Sequence, residues 1–127
     1  IEELLRCYSP NQALVRRTTR EVDIGGRHIP EDCPVALNFL SANRDEAVFA
    51  NPERFDPERS PNRHIAFGIG PHICIGMSVA RLQARIALET LISMTRSFRM
   101  TGEPAWARWT EFGVTKLDLT LDAGNPQ

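Results

Sequence analysis

The chain of 127 residues has few cysteines, and the three that it has, Cys7, Cys33 and Cys74, are far apart. Three scattered cysteines cannot build a disulfide framework, and an odd count is typical of proteins kept in a reducing compartment. Cys7 and Cys33 also lack the CxxC or Cys/His pairing of a zinc site, so we interpret both as structural. These absences predict a cytoplasmic protein.

The sequence also lacks an excess of either charge. Fifteen basic residues against sixteen acidic ones give a net charge of −1, which offers no bulk electrostatic support for binding nucleic acid or an anionic membrane surface. The longest apolar runs are far shorter than the ~18 residues that a membrane span needs, so none is predicted. An initiator methionine is missing as well, and we expect this end to continue into a longer protein.

The spacing of apolar residues predicts mainly short elements. We expect a helix over residues 1–8, a small antiparallel sheet over residues 14–40 with a turn at Gly25-Gly26, a short helix from Ser41 or Asn43 to Phe49, and an irregular meander over residues 51–66. A long helix is predicted from just after Cys74 to about Arg96, then a hairpin that joins residues 105–109 to 116–121, and a loose tail over residues 122–127.

The segment from Phe67 to Gly76 reads FGIGPHICIG and is unusual on physical grounds. Its closely spaced glycines permit positive φ or close approach to a bulky group. Cys74 lies just before the long helix, where unpaired N–H groups and the helix dipole favour a thiolate. Such a sulfur can be a metal ligand, a nucleophile with His72 as its base, or simply a buried apolar side chain.

This segment resembles the haem-binding loop of the cytochrome P450 family, FGxGxHxCxG, at every fixed position. The resemblance implies that Cys74 is the axial thiolate ligand of the haem iron. It further implies that Phe67 packs beside the sulfur and that His72 hydrogen-bonds a haem propionate. The glycines that would let the loop lie flat against the porphyrin are Gly68, Gly70 and Gly76.

Other segments resemble the same family in the same order. Glu3 and Arg6 match its ExxR helix motif, in which a spacing of three places both side chains on one helix face. The stretch PERFDPER, residues 52–59, resembles its PxxFxPxR meander, whose arginine completes a structural Glu-Arg-Arg triad. We assign that arginine to Arg59, which follows Phe-Asp-Pro, and interpret Arg54 as a solvated charge.

One further arginine is implied at the cofactor. Arg16 matches the family's arginine that pairs with a haem propionate, and Arg17 is the alternative. His28 and His64 match no such role, and we interpret them as an exposed turn residue and a polar residue of the meander.

The resemblance implies that residues 1–127 are the C-terminal haem-binding portion of a cytochrome P450 domain, an α+β part of a mainly α fold. The cofactor would be haem b. The complete enzyme would be a bacterial-type monooxygenase that inserts one oxygen atom from O₂ into a small organic substrate, with electrons from a ferredoxin or flavodoxin-type donor. We expect no turnover from residues 1–127 alone. The alternatives are a non-catalytic truncated or pseudo-enzyme segment and a thiol enzyme that uses Cys74 and His72.

Overall fold

The computed structural model describes residues 1–107 and 112–123. The elements of these residues are short, apart from one long helix. In chain order they are α1 (Glu2–Cys7), β1 (Ala13–Arg17), β2 (Val22–Ile24), β3 (Arg27–Ile29), β4 (Pro34–Asn38), α2 (Phe39–Ala42), a 3₁₀ turn (Gly70–His72), α3 (Met77–Met94), β5 (Thr95–Met100), β6 (Ala105–Trp106), β7 (Val114–Lys116) and β8 (Leu119–Ala123).

The strands form antiparallel pairs and not a single sheet. Within the described residues the pairs are β1 with β4, β2 with β3, β5 with β8, and β6 with β7. The β2–β3 hairpin turns at Gly25 and Gly26, whose φ angles are +57° and +74°. Positive φ at both central residues is the geometry of a two-residue hairpin turn that matches the twist of the strands, and glycine adopts it without strain.

The position predicted for the short helix, which was to end at Phe49, is wrong. Helix α2 is Phe39–Ala42, and the side chain of Asn38 caps it by accepting a hydrogen bond from the Ser41 N–H at 3.0 Å. Of the two predicted caps, Ser41 lies within α2 and Asn43 follows its last turn. Downstream, the Asp45 carboxylate accepts the Ala47 N–H at 2.9 Å, a local turn that competes with helix formation.

The C-terminal prediction also needs correction. Helix α3 ends at Met94, earlier than predicted, because Thr95 takes extended dihedrals and begins β5. Strand β8 then pairs with β5 and not with the strand at residue 105, which pairs with β7. Asp122 and Ala123 belong to β8 and not to a loose tail. Residues 108–111, part of the predicted hairpin, and 124–127 lie outside the described residues.

The buried centre of the described chain is small and largely polar. Arg6, Ser9 and Asn43 are fully buried, and the apolar side chains around them are Cys7, Phe39, Phe49 and Ala66. By contrast, the apolar stripe of α3 is exposed. Burial is therefore greatest where α1 meets the irregular segment between α2 and the 3₁₀ turn, the segment that leads into the glycine-rich loop.

Candidate functional site

The loop from Phe67 to Gly76 turns back on itself. The Cys74 N–H donates a hydrogen bond to the Phe67 carbonyl at 2.8 Å and closes the loop. Gly68 and Gly70 have φ angles of +75° and +74°, values at which a side chain would strain the backbone. A Cβ at Gly68 would make only an ordinary van der Waals contact with the His72 carbonyl oxygen, at 3.5 Å, so the constraint at this position is the backbone dihedral. The glycines thus permit a loop that leaves the Cys74 thiol exposed.

The exposed face of the loop forms one wall of a cleft of about 470 Å³. Cys74, His72, Phe67 and Gly68 line it together with Arg16, which reaches it from β1. The other lining residues are mostly apolar and come from α1, β1, β4, α2, the loop itself and α3. They include Leu5, Leu14, Leu37, Phe39, Ile69 and Ala80. The cleft therefore combines one thiol and two basic side chains with an apolar surface.

The two candidate arginines of β1 have different surroundings. Arg16 lines the cleft together with Leu14, because alternate residues of a strand share a face. Arg17 faces the other way, where its Nη1 lies 2.6 Å from the Asp32 carboxylate. Arg16 is thus the arginine available to a ligand in the cleft.

Glu3 of α1 is the centre of a buried charge network. Its side chain is 3% exposed. Five donors reach its carboxylate: Arg6 Nε at 2.8 Å, Arg6 Nη2 at 2.7 Å, Asn62 Nδ2 at 2.9 Å, the Asp56 N–H at 3.0 Å and Arg59 Nε at 3.1 Å. Hydrogen bonds of this kind favour the ionised carboxylate. The Arg6 bond is the main cause that lowers the pKa of Glu3 to about 2, although burial opposes it.

Arg6 connects this network to the chain around it. Its guanidinium is fully buried, and it donates to the backbone carbonyls of Asn43 at 2.9 Å, Pro52 at 2.7 Å and Arg54 at 3.1 Å. The bond to Glu3 also raises the pKa of Arg6. One side chain of α1 therefore holds three points of the irregular segment that leads to the loop.

The two arginines of the PERFDPER stretch behave differently. The Arg59 side chain is 11% exposed, and besides Glu3 it donates to the carbonyls of Ala50, Asn51 and Arg54. Arg54 has an exposed side chain and contributes its backbone carbonyl as an acceptor. The structure thus brings Glu3, Arg6 and Arg59 together.

The sequence reasoning missed a second charged cluster, formed by Glu2, His64 and Arg81. Arg81 holds the Glu2 carboxylate through two hydrogen bonds, and His64 reaches the same carboxylate. The hydrogen bond from Arg81 is the main cause that lowers the pKa of Glu2 to about 2, against a smaller opposing effect of burial. No local signal could have identified the cluster, because its members come from three distant segments.

Two features are absent from the described part of the chain. Residues 1–107 and 112–123 hold no group of three or more histidine, cysteine or carboxylate side chains that could enclose a metal ion. None of the described helices is both long and apolar enough to cross a bilayer.

Comparison with known proteins gives consistent matches over this region. The family model described as Cytochrome P450 matches residues 1–109. The chain is 41% identical to the biotin biosynthesis cytochrome P450 of Bacillus subtilis, over 93% of this chain and 30% of that protein. It is 39% identical to the 20-oxo-5-O-mycaminosyltylactone 23-monooxygenase of Streptomyces fradiae, over 94% of this chain and 29% of that protein.

Among solved structures, the chain resembles P450BioI in its complex with an acyl carrier protein that carries hexadec-9Z-enoic acid. The TM-score is 0.90 at 38% identity, and the match covers 95% of this chain and 32% of that one. The chain thus spans about 30% of the length of the curated relatives that it matches.

Proposed function

Because the chain belongs to the cytochrome P450 family, we propose that Cys74 is the axial haem ligand of a bacterial monooxygenase, of which residues 1–127 are the C-terminal haem-binding portion. The observation that carries the proposal is the convergence of Cys74, His72, Phe67 and the distant Arg16 on one cleft. A family resemblance in sequence does not by itself require these side chains to meet.

The residues present fit a haem. The cleft volume of about 470 Å³ is within the ~300–1,000 Å³ usual for cofactor sites, and its lining is mainly apolar. An exposed thiol is the type of ligand that haem iron takes in this family. His72 and Arg16 are basic or hydrogen-bonding groups suited to the propionates. In this proposal Gly68, Gly70 and Gly76 keep the loop close to the ring, and the cofactor is haem b.

When bound, the haem supplies the activation of O₂ and the insertion of one oxygen atom into an organic substrate. The residues of this chain hold and orient it. Cys74 donates electron density from its sulfur, and the bond between its N–H and the Phe67 carbonyl fixes the backbone that carries the sulfur. The network of Glu3, Arg6 and Arg59 holds the irregular segment that precedes the loop in the chain, so that Phe67 and Cys74 keep their positions.

The proposal includes a small organic substrate and an electron donor of the ferredoxin or flavodoxin type. P450BioI, one of the structural relatives, was solved with an acyl carrier protein bearing a fatty acid. A substrate delivered on a carrier protein is therefore one form that the proposed substrate can take. A cytoplasmic location stays a prediction, in keeping with three free thiols.

The test compares Cys74→Ser with Cys33→Ser in the full-length protein. We expect Cys74→Ser to lose the absorption band that a thiolate-ligated haem gives after reduction and treatment with carbon monoxide, because a hydroxyl is a far poorer iron ligand. Cys33 does not line the cleft, so Cys33→Ser should keep the band. A Cys74→Ser protein with the wild-type band would refute the assignment. A wild-type protein without any haem spectrum would favour the thiol enzyme or the non-catalytic alternative.

A further inference from the structure

The cluster of Glu2, His64 and Arg81 lies beside the proposed ligand loop and is separate from the network around Glu3. Arg81 Nε donates to Glu2 Oε1 at 2.9 Å, and Arg81 Nη2 donates to Glu2 Oε2 at 2.7 Å. This two-point contact fixes the plane of the guanidinium as well as its position. The cluster therefore joins the first turn of α1 to the first turns of α3.

His64 holds the same carboxylate from the segment that leads into the loop. Its Nε2 lies 2.9 Å from Glu2 Oε2, and its Nδ1 accepts the Ala66 N–H at 3.2 Å. A ring nitrogen that accepts a hydrogen bond carries no proton, so Nε2 is the nitrogen that donates to Glu2. The His64 side chain is only 2% exposed, which leaves it little freedom to adopt another orientation.

The oriented guanidinium lies against Phe67. Arg81 Cζ is 5.0 Å from the centroid of the Phe67 ring, within the range of a cation–π contact. The His64 ring is a second neighbour, with its centroid 6.3 Å from that of Phe67. Phe67 in turn accepts the Cys74 N–H through its carbonyl. A continuous set of contacts thus runs from Glu2 through Arg81 and Phe67 to Cys74.

We propose that Arg81 is a positioning residue which, held by Glu2 and His64, fixes the Phe67 ring and with it the loop that carries Cys74, and so sets the reduction potential of the haem iron. The proposal rests on the assignment of Cys74 as the haem ligand. Groups around a metal-bound sulfur tune how strongly it donates to the iron, which gives a change in the Phe67 position an electronic effect. Lysine cannot replace Arg81 here, because an ammonium lacks the planar fork that makes the two hydrogen bonds to the Glu2 carboxylate.

The first experiment measures the reduction potential of the full-length haem protein in three variants of α3. We expect Arg81→Ala and Arg81→Lys to shift the potential, and Arg85→Ala to leave it at the wild-type value. Arg85 is a matched control, because it lies one helical turn further along α3 and forms an exposed pair with Glu89. If the Arg81→Lys variant kept the wild-type reduction potential, only the charge of Arg81 would matter, and the positioning role would be overturned.

The second experiment repeats Arg81→Ala in a Phe67→Leu background. If Arg81 acts through the ring, its removal produces no further shift once the ring is gone. An equal shift in both backgrounds would show a direct electrostatic effect of Arg81 on the iron, and would refute the proposal. If Arg81→Ala does not fold, Arg81→Lys and Glu2→Gln carry the same comparison.

A third measurement does not depend on the iron. Hydrogen exchange of the Cys74 amide should be about two- to fivefold faster in Arg81→Ala than in Arg85→Ala, the factor expected from loss of a cation–π contact of ~0.5–1 kcal/mol. Unchanged exchange would overturn the proposal. The wild-type carbon monoxide spectrum tests the ligand assignment by itself, so failure of the proposed function is recognised before any Arg81 variant is made.

Discussion

Replacing Arg59 by alanine should destabilise the protein far more than the same change at Arg54, five positions earlier. The Arg59 side chain is 11% exposed and donates to the buried Glu3 carboxylate at 3.1 Å. Arg54 has an exposed side chain in the same irregular segment. The two variants remove the same atoms and the same charge, so the difference between them isolates the contacts of Arg59.

The expected loss of stability in Arg59→Ala follows from the contacts that the variant removes. A hydrogen bond to a charged group contributes about 1.5–3 kcal/mol. The three carbonyls that Arg59 also reaches belong to Ala50, Asn51 and Arg54, which are exposed residues, so water can replace the guanidinium there. Glu3 keeps both bonds from Arg6, so its charge is not left unpaired. We therefore expect a loss of about 2–3 kcal/mol for Arg59→Ala, below the ~3–5 kcal/mol typical of stranding a buried charge.

The assay is chemical denaturation of the full-length protein, followed by circular dichroism and by haem absorbance. Arg54→Ala should lower the free energy of unfolding by less than about 1 kcal/mol, as exposed charges usually do. An Arg54→Ala variant that loses as much stability as Arg59→Ala would refute this reasoning. So would an Arg59→Ala variant with wild-type stability, because the contact with Glu3 would then contribute nothing.

Two further predictions concern acid stability and the glycine loop. Glu3 has a pKa of about 2 in the fold against an ordinary 4.5, so its stabilising effect is complete above pH 4.5 and is lost as the pH falls toward 2. That effect amounts to about 3 kcal/mol. The free energy of unfolding should therefore fall less steeply with acidification in Glu3→Gln than in wild type or in the exposed control Glu58→Gln. Separately, Gly68→Ala should lower the free energy of unfolding by about 1–2 kcal/mol through its positive φ, and it should reduce the haem retained during gel filtration. Gly113→Ala, at a glycine without positive φ, should have neither effect. Equal acid slopes in Glu3→Gln and wild type, or equal haem retention in the two glycine variants, would contradict these expectations.

Much of the candidate site is encoded locally. The order of glycines, histidine and cysteine between Phe67 and Gly76 favours a short closed loop, because glycine adopts without strain the positive φ found at Gly68 and Gly70. The spacing of Glu3 and Arg6 likewise puts both on one helix face before any tertiary contact forms. Such features can be interpreted from the sequence because the interacting groups are close neighbours in the chain.

The tertiary structure decided which of several equivalent groups take part. Glu2 and Glu3 are adjacent and chemically alike, yet Glu2 binds Arg81 and His64 whereas Glu3 binds Arg6 and Arg59. Only the direction of each side chain from α1 separates them. The family resemblance favoured Arg59 over Arg54, but composition and spacing alone offered no reason for that choice.

Strand pairing at the C-terminal end was decided in the same way. Alternating apolar residues predicted a strand near residue 119, but alternation does not specify a partner, and β8 pairs with β5 across a long stretch of chain. The sequence by itself thus determined the loop, the ion pair of α1 and the family. Long-range packing determined the partners, because a partner distant in the chain is selected by the shape of the assembled fold and not by local propensity.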